Sequence, residues 1–184
     1  AAQQYEIMLQ KFKIKGYEQY EISNFSKPEY HSRHNRNYWF EVPYLGIGPG
    51  AHSFNKKLRQ YNISNNPNYI KAITSGEIPA TFDHLEPKDS INERIMISLR
   101  TKWGLDLVQI QKEYGYDLLS EQSKYIKELQ SDGLAQINKN RLILNEKGIM
   151  KVNINHPSFI SFLETVSSSI LSNVTVSNYF NLSQ

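Results

Sequence analysis

At 184 residues with no cysteine, the chain has length for one or two small domains and no means of forming a disulfide. Hydrophobic residues make up 39%, mean hydropathy is −0.56, and no apolar run nears the ~18 residues of a membrane span, so membrane-embedded classes are set aside. The formal charge of +3 is uneven: residues 1–83 carry ten Lys and Arg against seven acidic residues, whereas 84–150 carry ten of each. The excess flanks one stretch, at Lys27, Arg33, Arg36, Lys56, Lys57 and Arg59, a placement that suits a polyanionic small molecule and equally an ordinary solvated surface.

Taken in order, Ala1–Lys15 reads as a helix, with Tyr5, Met8, Leu9 and Phe12 on one side and Gly16 as its stop. Gln19–Ile22 reads as a strand and Ser23–Pro43 as a loop. Tyr44–Ile47 reads as a second strand, followed by a hairpin of Ala51–Phe54 and Arg59–Asn62 around Asn55-Lys56-Lys57. Pro67–Thr74 is a short helix capped by Asn66, and 75–81 an irregular linker.

From about residue 84 the pattern turns to compact helices. Pro87 stands in a first turn, and Ile91, Ile95, Leu99 and Trp103 form a stripe four residues apart. Asp106 caps a second helix ending at Gly115, and a third runs from Asp117 to Gly133. A hairpin of 134–137 and 141–144 completes a winged helix. Its third helix carries Asp117, Glu121, Glu128 and Asp132 against Lys124 and Lys127, which disfavours duplex binding and leaves a packing module. The tail, 151–184, places Phe159, Leu163, Val166, Ile170 and Val174 at helical spacing.

The chemistry-bearing residues concentrate between Gly16 and Phe54. The G-x-G-x-G-A string at Gly46–Ala51 lacks the following helix and acidic residue that a dinucleotide fingerprint requires. YEISNFSKPEY, then His34-Asn35-Arg36-Asn37-Tyr38-Trp39, then YLGIGPGAHSF together resemble the C-terminal part of the oxygen-independent coproporphyrinogen III oxidase family. The H-N-x-x-Y-W run is similar to the signature of its haem-chaperone (HemW) branch, and the resemblance extends to about Gly148. It implies an α/β architecture: the last part of a radical S-adenosylmethionine barrel over 1–83, a winged-helix domain over 84–150, and an extra tail over 151–184.

The family's Cys-x-x-x-Cys-x-x-Cys set for a [4Fe–4S] cluster is missing. The chain is therefore expected to be a C-terminal fragment, inactive by itself and without bound cofactor. Its parent would use S-adenosylmethionine, the cluster and haem, in the cytoplasm, with haem or porphyrin and haem-receiving proteins as partners. Nucleic acid is not expected as a partner. The alternative parent is the oxidase, which decarboxylates propionates.

His34 is then the foremost candidate, as an axial haem ligand or contact, with Asn35 beside it. Tyr38 and Trp39 would stack on the macrocycle, and Arg33 or Arg36 would meet its propionates. The competing reading is that His34 and Asn35 pin the loop while Tyr38 and Trp39 pack. Gly46, Gly48, Gly50 and Ala51 resemble the glycine-rich strand end beside the S-adenosylmethionine pocket, or else serve strand packing. Glu21 and Asn24 stand at a strand end, where barrel enzymes build their sites. His31 and His52 are weaker metal candidates, with no zinc-site spacing around them. A strand at Gln19–Ile22 without an upstream neighbour would offer an open edge, so self-association is expected.

Overall fold

The computed structural model describes residues 2–84, 86–153 and 159–168, which divide into two compact units, 1–31 with 87–184 and 32–86.

The first unit opens with α1 (Ala2–Ile14). Gly16, at φ 75°, lets the chain reverse: Gly16 N donates to Lys13 O and Tyr17 N to Phe12 O, both at 3.0 Å, the paired bonds of a Schellman stop. β1 (Glu18–Glu21) and β2 (Asn24–Ser26) follow as a bulged antiparallel pair. The segment read as a loop from Ser23 thus contains a strand. The second edge of β1 meets a bridge from Glu21 to Thr101, and Lys102 N donates to Tyr20 O at 3.1 Å. The edge expected to lie open is therefore partly covered, which removes the premise for pairing there.

The winged helix comprises α4 (Pro87–Leu99), β6 (Leu105–Asp106), α5 (Leu107–Tyr114), α6 (Leu118–Glu121), α7 (Ser123–Ser131), β7 (Ala135–Asn138), β8 (Arg141–Leu144) and α8 (Glu146–Asn153). Its sheet has the order β6-β8-β7. α4 stops at Leu99, so Trp103 lies beyond the helix whose stripe it was read to continue. Asp106 caps α5 as expected, one carboxylate oxygen accepting from Gln109 N at 3.0 Å while the other accepts from Arg141 Nη2 at 3.1 Å. The helix read as continuous over 117–133 breaks at Gln122, whose side-chain amide donates to the buried Tyr116 hydroxyl at 2.9 Å. Lys139 and Asn140 both have positive φ, the requirement of a two-residue hairpin turn.

One core joins these elements. Ile91, Ile95, Leu99, Leu105, Ile110, Leu118, Ile126 and Leu142 are buried together with Ile22. A helical segment over 159–168 adds Phe159, Phe162 and Val166, and Phe162 stacks on Tyr125 with centroids 4.7 Å apart. Part of the tail therefore belongs to this core; Ile170 and Val174 lie outside the described residues.

The second unit holds α2 (Arg33–Trp39), α3 (Asn66–Thr74) and an antiparallel sheet of β3 (His52–Phe54), β4 (Leu58–Asn62) and β5 (Ala80–His84), with β4 central. The hairpin is where the sequence placed it; Asn55 Oδ1 accepts from Lys57 N and Leu58 N to close its turn. Four expectations need correction. α2 stands inside the supposed loop. Tyr44–Ile47 is not a strand but a single bridge from Tyr44 to Phe54. The supposed linker ends as β5, and α3 is capped by Asn65, whose side chain accepts from Asn68 N at 3.0 Å, rather than by Asn66.

Candidate functional site

The helix carrying the histidine motif is fixed by Ser32. Its Oγ accepts from Asn35 N at 3.2 Å, satisfying a first-turn donor, and Phe40 N closes the far end on Arg36 O at 2.9 Å. Seven residues of helix put i and i+4 on one face, so His34 and Tyr38 meet edge-on with centroids 4.9 Å apart. Tyr38 in turn meets Tyr44 edge-on at 4.8 Å. The His34 side chain is exposed, and its nitrogens form no hydrogen bond to a described residue. The cap, not His34, pins the helix.

The remaining motif residues divide. Arg33 is exposed, whereas Arg36 is half-buried with its guanidinium 5.6 Å from the centre of the Phe40 ring. Asn35 and Trp39 are half-buried, and Tyr38 is 43% exposed. A hollow of ≈60 Å³ is lined by His34, Tyr38 and Tyr44 among others. At ~30 Å³ per water it admits about two waters and no macrocycle.

The glycine turn is a closed hydrogen-bonded structure. A Cβ on Gly46 would run into the His52 carbonyl, so this position requires glycine for close approach. Gly46 N donates to Ser53 Oγ at 3.0 Å and Gly48 N to the Tyr69 hydroxyl at 3.3 Å. The Asn62 side-chain amide donates to Gly48 O at 3.0 Å and Gly46 O at 3.4 Å, while Asn62 N donates to Ala51 O at 2.9 Å. Gly50 N reaches Ile63 O at 3.1 Å. The polar groups of Gly46, Gly48, Gly50 and Ala51 are thus largely engaged within the unit. Asn62, buried and central to this turn, was not singled out from the sequence; an asparagine ending a strand reads as a breaker.

Glu21 and Asn24 belong to the first unit and meet each other there. The buried Glu21 carboxylate accepts from Asn24 Nδ2 at 2.6 Å, Ser23 N at 3.0 Å and Arg100 Nη2 at 3.2 Å. Its acceptor capacity goes to holding the β1–β2 turn and Arg100. Beside it lies a second polar network that the sequence did not reveal. His31 Nε2 and Lys102 Nζ both engage the Glu18 carboxylate, at 2.7 and 2.8 Å. The Lys102 hydrogen bond holds the Glu18 carboxyl below the ordinary carboxylate range, assisted by His31 and opposed by partial burial. His31 is therefore held by the Glu18 carboxylate in this fold. His52 lies edge-on to Tyr61, and no cluster of three metal-ligating side chains occurs among the described residues.

Residues 85–150 match the family model of the HemN C-terminal domain. The chain is also 30% identical over 148 residues to the "Heme chaperone HemW" of Bacillus subtilis, a match spanning 80% of this chain and 39% of that protein. Over 37 residues it is 57% identical to the "Heme chaperone HemW" of Escherichia coli, covering 20% of this chain and 10% of that one. The chain thus spans well under half the length of these relatives. A solved structure of the HemN coproporphyrinogen III oxidase from Escherichia coli, a radical SAM enzyme, superposes with a TM-score of 0.59 at 16% identity. It covers 86% of this chain and 39% of that one, and at this identity the likeness speaks to the fold. The α/β reading agrees with that fold, and the sequence likeness runs to HemW. No described helix is long and apolar enough to cross a membrane.

The [4Fe–4S] cluster that the sequence resemblance implies would need thiolate ligands, and this chain's residues do not fit one: it has no cysteine to offer.

Proposed function

We propose that the chain takes part in haem handling as the C-terminal portion of a HemW-type chaperone, with α2 presenting His34 to haem as cargo. The observation that carries this reading is the exposed imidazole, without a hydrogen bond to any described residue, edge-on to Tyr38 and sharing a hollow with Tyr44. An imidazole is a common haem-iron ligand, and aromatic edges beside it are suited to the macrocycle. Arg33, exposed on the same short helix, is the cation available to a propionate, and the Asn35 backbone amide, held by Ser32, fixes the helix start. Because the ≈60 Å³ hollow cannot enclose haem, binding at α2 would be open and readily reversed, as handing on a cargo requires.

The glycine turn, Glu21 and Asn24 serve architecture in this reading, and any S-adenosylmethionine or cluster chemistry rests on residues other than these. Cytoplasmic location and a haem-receiving protein as partner belong to the same proposal; self-association through β1 is not part of it, since Thr101 and Lys102 partly cover that edge. The oxidase alternative is distinguished by assaying propionate decarboxylation in a longer, cysteine-bearing protein.

The test is a haemin titration of the chain beside His34→Ala, with circular dichroism confirming the fold. A Soret band whose position depends on His34 is the expected result. Identical bands and affinities would remove His34 from the ligand set.

A further inference from the structure

The first unit carries an open cleft of ≈690 Å³ among α1, the β1–β2 hairpin, the wing and the start of α8. This lies within the ~300–1,000 Å³ of small-molecule sites, unlike the hollow at His34. Flat rings line it: Phe12 and Phe25 stack with centroids 4.5 Å apart and planes 13° from parallel. A smaller hollow of ≈340 Å³ adjoins it, both being lined by Leu9, Lys13, Glu146 and Lys147.

The charges are arranged for carboxylates. Lys13 and Lys147 are exposed and have no ion-pair partner among the described residues. Glu18 is already engaged by Lys102 and His31, which leaves Glu146 as the opposing carboxylate. The lining of the larger cleft holds Lys13, Lys102 and Lys147 against Glu18 and Glu146, an excess of one positive charge, and the first turn of α8 adds its dipole.

We propose that this cleft is a second tetrapyrrole seat, built without His34, in which the macrocycle lies against the Phe12–Phe25 stack and its carboxylates meet Lys13 and Lys147. The inference rests on the reading that the chain handles haem. Among the described residues lining the larger hollow there is no histidine, cysteine or methionine, and Tyr17 is the one side chain of a common haem-ligating type, so ring and carboxylates carry the recognition. A carrier that receives a cargo and passes it on gains from one seat that ligates the metal and one that does not.

Metal-free protoporphyrin IX separates the two seats, because it has no iron for His34 to ligate. Titrated into the full chain and followed by its own fluorescence, it should bind saturably. Leu9→Trp, which fills the cleft, and Lys147→Glu, an exposed substitution that leaves the core untouched, should each weaken binding by about tenfold. His34→Ala should leave it unchanged. Wild-type affinity in both cleft variants would overturn the proposal, as would the absence of saturable metal-free binding. If haemin nevertheless bound in a His34-dependent way, the reading of α2 would stand without this seat; if neither ligand bound, both would fall.

Discussion

The two units of this chain are held by different forces. Every member of the main buried apolar cluster, from Ile22 to Val166, lies in the first unit. The second unit buries Phe54 as its one large apolar side chain among the described residues, while Leu45 is 75%, Ile47 85% and Ile78 71% exposed. It keeps its shape through polar staples instead: the Asn62 amide, the Ser53 hydroxyl and the Tyr69 hydroxyl on the glycine turn. Hydrophobic burial is non-directional and tolerates repacking, whereas hydrogen bonds fix particular backbone atoms. The unit that presents His34 is thus the one specified by geometry, and the winged helix is the one that supplies stability.

The largest expected effect is in the first unit. Phe162 lies beyond the segment matched by the HemN domain family, yet it is buried and stacks on Tyr125. Phe162→Ala should destabilise the unit by about 3–5 kcal/mol in urea unfolding, as a core truncation does. A loss under about 0.5 kcal/mol, the range of surface substitutions, would show that the segment over 159–168 only rests on the surface.

The second unit should respond to a polar deletion instead. Asn62→Ala leaves the Gly46 and Gly48 carbonyls without their amide donor, at a cost of about 1–3 kcal/mol. Amide exchange should quicken at Gly46 and Gly48 and stay unchanged across α4 and α5. Uniform quickening in both units would contradict the division drawn here.

The smallest effect is the acid response of the Glu18 network in the first unit. A carboxyl whose folded pKa is lowered contributes stability at pH above the ordinary carboxylate range, and loses it as pH falls through the lowered value. Glu18→Gln should flatten that part of the stability–pH curve, leaving the second unit unaffected. An acid limb identical to wild type would mean the contacts of Lys102 and His31 with Glu18 do not persist in solution.

What the sequence disclosed follows the range of each interaction. The stops at Gly16, Gly115 and Gly133 and the cap at Asp106 were legible because a helix end is decided within a few residues. The core stripe Ile91, Ile95 and Leu99 was legible from its spacing. The break at Gln122 was not, since it depends on a bond to Tyr116, and β6 exists only because β8 returns beside it. Tyr44–Ile47 misled through its apolar content; Gly46 is there for contact with the His52 backbone, not for a ladder. In the candidate site, the His34 helix motif was visible as a string of residue types, but its Ser32 cap and the Tyr44 contact were not. The Glu18–Lys102 pair joins residues 84 positions apart, with no local pattern to announce it.

The sparsely packed unit exposes the His34 imidazole, proposed above as a haem ligand. Haemin titration of wild type and His34→Ala, read at the Soret band, tests that role most directly. The wild type should bind haemin saturably, with a band position that shifts when His34 is removed while the circular dichroism spectrum does not. Superimposable titrations of the two proteins would contradict that role.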